Sequence, residues 1–390
     1  MPGRSRLSVS ILFLVHGLIF STWVSRIPAV QDKLALRPSE LGLALLGVAA
    51  GSMISMPLSG ILMARCGTGI VAAASSLMFC LALGLPALAG SALPLGLALG
   101  VLGLAAGAMD VSMNAQGVAV EELYGRSLMA SFHALFSIGG MAGSAIGGVI
   151  AGQGIGPRLH LAIAGGFCFA LVAAAIPSLV PHDRHGAAGQ HLRFRITSRL
   201  LALALIAFCF FLSEGAIADW SGLYLRQNTG AGPAMAALGY AVFSAVMALG
   251  RVTGDRLINR FGRAALVRAG SLTAVAGLGA ALLIGTAPAA LAGFGLMGAG
   301  CSIIVPIVFA AAGRMRDLPP GAALTAVTSF GYLGLFAGPP SIGLLAEVTG
   351  LRVALAGVVC LLASGIALAR STVSGLPPGS ERRGTVGSPL

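Results

Sequence analysis

The chain has 390 residues, of which 57% are hydrophobic and only 9% charged, with a net charge of +12 and a mean hydropathy of +0.94. A soluble domain carries about 25% charged residues, so this composition cannot coat a water-facing surface around one core or two. It excludes a soluble protein and makes the bilayer the main solvent.

A membrane-crossing helix needs roughly 20 mainly apolar residues. Twelve stretches of about that length predict spans at 8–27, 39–62, 70–90, 94–119, 128–152, 159–180, 198–223, 234–254, 265–286, 289–312, 321–343 and 351–370. They are too long and too evenly apolar for barrel strands, so the expected fold is an all-α membrane protein. The basic start at Arg4 and Arg6 resembles a signal peptide, but no small-x-small cleavage site follows. The run carries His16, Trp23 and Arg26 before further spans begin, so it is expected to be the first membrane helix.

Arginine and lysine placement orients the predicted spans. Arg26, Lys33, Arg37, Arg158, Arg226 and Arg352 fall on one side, and the remaining 18 of the 24 basic residues fall on the other. The positive-inside rule then puts both termini in the cytoplasm. The +12 balance is a topology signal and not a nucleic-acid footprint.

The predicted domains are a first six-helix bundle (1–180), a central cytoplasmic loop (181–197), a second six-helix bundle (198–370) and a disordered cytoplasmic tail (371–390). The two bundles repeat weakly. Gly60-Ile-Leu-Met-Ala-Arg65-Cys-Gly67 follows the second span, and Asp255-Arg256-Leu-Ile-Asn-Arg260-Phe-Gly262 follows the eighth, sharing Leu-x-x-Arg-x-Gly. Phe136-Ser-Ile-Gly-Gly140 in the fifth span echoes Phe330-Gly-Tyr-Leu-Gly334 in the eleventh. Two like halves predict alternating access around a site between them, near the middle of the membrane. The 57 glycines recur at small-xxx-small spacing, which predicts close helix packing. The six cysteines are scattered without paired spacing and are expected to be buried fillers.

A few polar residues interrupt the spans. His16 and Trp23 in the first, and His133 in the fifth, are candidate substrate contacts, although a membrane histidine also serves as a structural hydrogen-bonder. Asp110 and Asn114 in the fourth span are four residues apart and so share one helix face. An Asp at a helix centre costs around 2.5–3.5 kcal/mol on the insertion scale, so it should face a cavity or a partner. Asp110 is the first candidate for proton coupling, Asn114 and Gln116 for substrate binding, and Glu214 in the seventh span is the second coupling candidate. Asp219 lies about 140° around the helix from Glu214. Asp219 is expected to form a gating ion pair, with Arg26 as its proposed partner. Trp220, placed like Trp23, either anchors at the interface or stacks on a sugar-like ring. Arg65, Asp255 and Arg256 are candidate gating charges at the cytoplasmic turns.

At these residues the chain resembles the major facilitator superfamily: twelve spans, a central loop, and the Gly-x-Leu-x-x-Arg-x-Gly turn after the second and eighth. The resemblance covers roughly residues 8–370 and implies two pseudo-symmetric six-helix bundles. The superfamily's turn carries an acid before the arginine, where this chain has Ala64 and Asn259. A closer likeness is to the fucose-permease-like sugar/proton symporters and their bacterial relatives. It rests on Ile27-Pro28 with Gln31, on Asp110-Val-Ser-Met-Asn114-Ala, and on Ser131-Phe-His-Ala-Leu-Phe-Ser-Ile-Gly139. The likeness implies proton coupling at Asp110. Two of that group's sugar- or proton-handling positions are replaced here by Val24 and Phe136.

No phosphate-binding loop, zinc-binding helix motif or nucleophile elbow is present, so neither an enzyme nor an ATP-driven pump is expected, and no cofactor or metal. The expected function is a monomeric, proton-coupled symporter of a small polar solute, such as a sugar-like one, in the bacterial inner membrane. Its expected partners are that solute, protons and the lipid bilayer. The alternatives are proton-driven efflux of a drug or metabolite, and a transporter-shaped sensor without transport. Drug antiporters of the superfamily carry Gly-Pro in the fifth helix. Here Gly139-Gly-Met-Ala-Gly143 lacks the proline, and Gly338-Pro339-Pro340 lies in the eleventh span instead.

Overall fold

The computed structural model describes residues 2–126, 128–181, 197–313, 315 and 322–372. Residues 182–196 of the expected loop and 373–390 of the expected tail lie outside the described residues, as does the side chain of Asp255.

Fourteen α-helices run in order among the described residues: α1 (Pro2–Val24), α2 (Ile27–Leu34), α3 (Pro38–Cys66), α4 (Thr68–Ala82), α5 (Ala92–Tyr124), α6 (Met129–Gly152), α7 (Pro157–Ala175), α8 (Ser198–Thr229), α9 (Pro233–Phe261), α10 (Arg263–Ile284), α11 (Ala287–Cys301), α12 (Ile304–Gly313), α13 (Ala322–Thr349) and α14 (Leu351–Thr372). Short 3-10 turns follow α4 and α7. Among the described residues ten helical stretches are long and apolar enough to cross a membrane, with α1–α2 and α11–α12 each counting as one. At the eleventh and twelfth expected spans stand α13, 28 residues long, and α14, whose apolar part runs over Leu351–Gly365.

The punctuation follows from the residues. Prolines open α3, α7 and α9, where a missing N–H costs nothing. The Thr197 hydroxyl accepts the Leu200 N–H and caps α8. Gly125, with φ of 62°, ends α5 in the left-handed region that glycine enters freely. Beyond it the Glu121 carboxylate accepts the backbone N–H groups of Leu128 and Met129, holding the turn into α6. That acid caps the start of α6.

The repeat is visible in the packing. In the first half α1 lies on α6 and α3 on α5; in the second, α8 lies on α13 and α9 on α11. Glycines let the backbones meet. A Cβ on Gly139 would strike the Leu14 carbonyl, and one on Gly334 the Phe208 carbonyl. Large apolar side chains such as Leu81, Leu93, Leu283 and Val348 point outward, as a lipid-facing surface requires. Four cysteines are buried as expected, but Cys66 and Cys360 are exposed. The halves meet chiefly through α3 against α13 and α6 against α9. That seam positions the site.

Candidate functional site

Five polar side chains from five helices converge at one depth of the seam. Asp110 (α5), Ser137 (α6), Glu214 (α8), Arg251 (α9) and Tyr332 (α13) each lie fifteen to eighteen residues from one end of their helix, at Ala92, Gly152, Thr229, Pro233 and Thr349. At 1.5 Å per residue this sets them roughly 23–27 Å below a common rim.

Two contacts cross between the halves here. The Tyr332 hydroxyl donates to Asp110 Oδ2 at 3.3 Å. Arg251 Nη1 donates to Ser137 Oγ at 3.1 Å, while its Nη2 stands 3.8 Å from Glu214 Oε1. The latter is an ion pair too long for a hydrogen bond. Glu214 and Arg251 keep 26% and 27% of their side-chain surface accessible, so water reaches them between the bundles. Asn114 Nδ2 donates to the Asp110 carbonyl at 2.8 Å and to its Oδ1 at 3.3 Å, the neighbour relation that four-residue spacing predicts. Tyr332 stacks on Phe211 with ring centroids 5.6 Å apart, and it feels the charge of both Asp110 and Glu214. His133, exposed on α6, lies within the field of Arg251 and edge-on to Phe13. His16 is wedged between Phe79 and Phe136, its Nδ1 buried without a hydrogen-bond partner.

Toward the rim the seam is shut. Arg226 pairs with Asp32, Gln227 bonds Gln31 at 3.3 Å, and Arg37 reaches Glu347 at 3.1 Å. Glu347 also accepts the Ser39 N–H. Gly42 on α3 faces Gly343 and the Pro339 carbonyl on α13, so closely that a Cβ would meet that oxygen at 2.5 Å. Ser144 donates to the Ala237 carbonyl across α6 and α9 at 2.7 Å. Between Ser25, Pro28, Ser144, Ser221 and Tyr240 remains a cavity of about 10 Å³. In the opposite direction, among the described residues, no hydrogen bond or ion pair joins the halves beyond the level of Arg251 and Asp110. By these contacts, the described residues of the two bundles are closed together at one end and parted at the other.

Several expected roles fall elsewhere. The Arg26–Asp219 pair is not made. Arg26 is buried, only 2% exposed, and its Nε donates to His160 Nδ1 at 2.7 Å within the first half. The α1–α2 break at Ser25–Arg26 turns the guanidinium toward α7 and away from α8. Asp219 makes no ion pair with a described residue, and the inter-half pair lies further out, at Arg226 and Asp32. Gln116 does not line the site. It clasps Thr68 at 2.7 Å and both backbone groups of Val180, tying α5 to the ends of α4 and the α7 segment. Trp23 and Trp220 are each 1% exposed, so neither presents a ring face to a solute here. Arg65 and Arg256 are exposed at the parted end, without a described acidic partner. Among the described residues no cluster of His, Cys, Asp or Glu is placed to hold a metal.

Tyr332 and Ser137 were not singled out from the sequence, and Arg251 suggested itself there only as an alternative to Arg256 in pairing with Asp255. Arg251 was counted with the basic residues that orient the chain. Its signal is positional: it follows Met247-Ala-Leu-Gly250 inside an apolar run, and the matching place in the first half is Met56.

Comparisons with known proteins agree with this architecture. The profile of the Major Facilitator Superfamily matches residues 9–315. An uncharacterized MFS-type transporter of Yersinia pestis is 36% identical over 95% of this chain and 96% of its own length. The membrane protein MosC of Rhizobium meliloti is 33% identical over 95% and 91%. Among solved structures, a mutant of the nucleoside transporter NupG superposes with a TM-score of 0.75 at 11% identity, covering 95% of this chain and 99% of that one. A bacterial homolog of the human lysosomal transporter Spinster, in an inward-facing and occupied conformation, gives 0.71 at 15% identity, covering 95% and 96%.

Proposed function

Since the chain belongs to the Major Facilitator Superfamily, a family of membrane transporters, we propose that it moves a small polar solute by proton-coupled symport. In this reading twelve helices span the membrane, both termini are cytoplasmic, and the shut rim faces outward. The parted end then opens to the cytoplasm, and alternating access consists of rocking the two bundles about the mid-depth site.

The observation that carries the reading is the pair of inter-half contacts at one depth, Tyr332–Asp110 and Arg251–Ser137: the first is made by a carboxylate inside a span, the second by the ion-pair partner of one, Glu214. A carboxylate there is costly when ionised. Asp110 and Glu214 are therefore the groups whose proton occupancy the surroundings can exchange, and each holds the other half through a polar partner. Protonating Asp110 changes its bond with Tyr332. Protonating Glu214 removes the counter-charge of Arg251. Either event alters what holds the halves together, which is how a proton gradient gains purchase on a conformational equilibrium. Asn114, His16 and His133 are proposed solute contacts around these acids; the nucleoside transported by the NupG neighbour is not carried over.

The test is purified protein in liposomes with an imposed pH gradient and a panel of sugars, polyols and cationic drugs. Inward accumulation with an acid exterior supports symport, accumulation against the proton flow supports efflux, and binding without movement supports a sensor. Asp110→Asn is expected to abolish gradient-driven accumulation while leaving counterflow exchange. Unchanged pH dependence in that variant removes Asp110 from the coupling role.

A further inference from the structure

Arg251 is under-used by its surroundings. A guanidinium presents five N–H donors in a planar fork. Among the described residues Arg251 makes one hydrogen bond, from Nη1 to Ser137 Oγ. Glu214, its counter-charge, stands off at 3.8 Å. The titratable groups facing this pair are His133 on α6, Tyr240 on α9, Cys301 on α11 and Tyr332 on α13. None of these is a second carboxylate for Arg251. On the far side, the Asp110–Asn114–Tyr332 group offers hydroxyl-sized donors and acceptors.

We infer that the solute is a small hydroxylated carboxylate, its two oxygens docking on the Arg251 fork and its hydroxyls on the Asp110–Asn114–Tyr332 group. The inference rests on the transport reading above and names its substrate class. Charge decides the class. An arginine within a span needs an anion beside it. When Glu214 takes up a proton, Arg251 loses its nearest one, and a solute carboxylate restores neutrality with the bidentate geometry that guanidinium prefers. When Glu214 is ionised, it repels a second carboxylate from the same place. Proton and solute anion therefore enter together: one proton passes from the bulk to Glu214, one carboxylate to Arg251, and the pair crosses without net charge. A neutral sugar would leave the fork unfilled, and an amine would face it with like charge.

The experiment uses the full chain and a matched series. Lactate, glycerate, gluconate and glucuronate are each compared with the corresponding alcohol and, for the ring, with glucosamine. At least one carboxylate is expected to bind about tenfold or more tightly than its neutral and cationic counterparts. Arg251→Gln should weaken it by roughly thirtyfold or more, with partial rescue by Arg251→Lys. Size-exclusion profiles establish that both variants fold. Uptake in liposomes should follow a pH gradient and ignore a potassium–valinomycin potential.

Preference for the alcohol or the amine, equal carboxylate binding by Arg251→Gln, potential-driven uptake, or no binding of any carboxylate overturns the inference. The two readings separate cleanly. A neutral solute driven by the pH gradient leaves the symport reading standing and removes this one. Arg251-dependent carboxylate binding without proton movement does the reverse.

Discussion

The seam between the two bundles is built differently at its rim and at its middle. At the rim, backbones touch: Gly42 lies on Gly343 and Pro339, and Gly148 lies on the Ala234 carbonyl, with ion pairs laid over the top. At the middle, side chains meet at 3.1–3.8 Å and remain part-exposed. A backbone-on-backbone contact is either made or lost, because nothing in it can yield by rotation. A loose polar contact can be exchanged for a ligand atom without moving a helix. The rim is therefore suited to gating and the middle to recognition.

That contrast can be broken most severely at the rim. Gly42→Leu places a side chain against the Pro339 carbonyl and the Gly343 Cα. We expect a tenfold or greater fall in uptake, about 1.4 kcal/mol or more, since overpacking of this kind costs roughly 1–3 kcal/mol. A cysteine placed at Ser39 should then react faster with an outside thiol reagent. Normal uptake in Gly42→Leu would show that the rim yields.

A second test asks whether Arg26 belongs to the rim's stability or to its gating. His160→Leu removes the only hydrogen-bond partner that a buried cation has among the described residues and should cost about 3 kcal/mol, read as a lower melting temperature in detergent. The double variant Arg26→Met/His160→Leu should regain most of it. If the double variant melts no higher than the single, the bond is not what stabilises this corner.

The smallest effect is expected from the overlying charges. Glu347→Gln breaks the bridge to Arg37, an exposed pair whose attraction the surrounding water screens. Outside labelling at position 39 should rise less than about fivefold, and the difference should vanish in high salt. A larger change would make the ion pairs, and not the glycines, the principal latch.

Much of this was legible in the chain. The helices follow from apolar run length, and their close approach from the small-xxx-small glycines, because both are local or periodic properties. Asp110 with Asn114 was legible because four-residue spacing is itself a contact. Glu214 was legible because an acid within a span needs a reason. What failed were contacts between distant segments. Arg26 and Asp219 look like partners in the sequence, yet a break of two residues before α2 swings the arginine to His160. Gln116 looks like cavity lining, but α4 and the α7 segment meet behind it. Arg251 failed for another reason: a cation near the end of an expected span satisfies the orientation rule so readily that it asks for no further explanation. The mismatch with Met56 was the one sign that it was something else.

The Arg226–Asp32 and Arg37–Glu347 pairs sit on the outermost surface of the shut end, with Asp32 and Arg37 more than half exposed. Their attraction is felt through the surrounding medium, whose screening length falls from about 10 Å at 0.1 M salt to about 3 Å at 1 M. The glycine contacts beneath have no such dependence. In the orientation proposed, the resting balance between the two faces is thus partly set by the salinity of the habitat. A cell moving from fresh to brackish water would find this carrier's outer door slightly looser, before any change in its cargo.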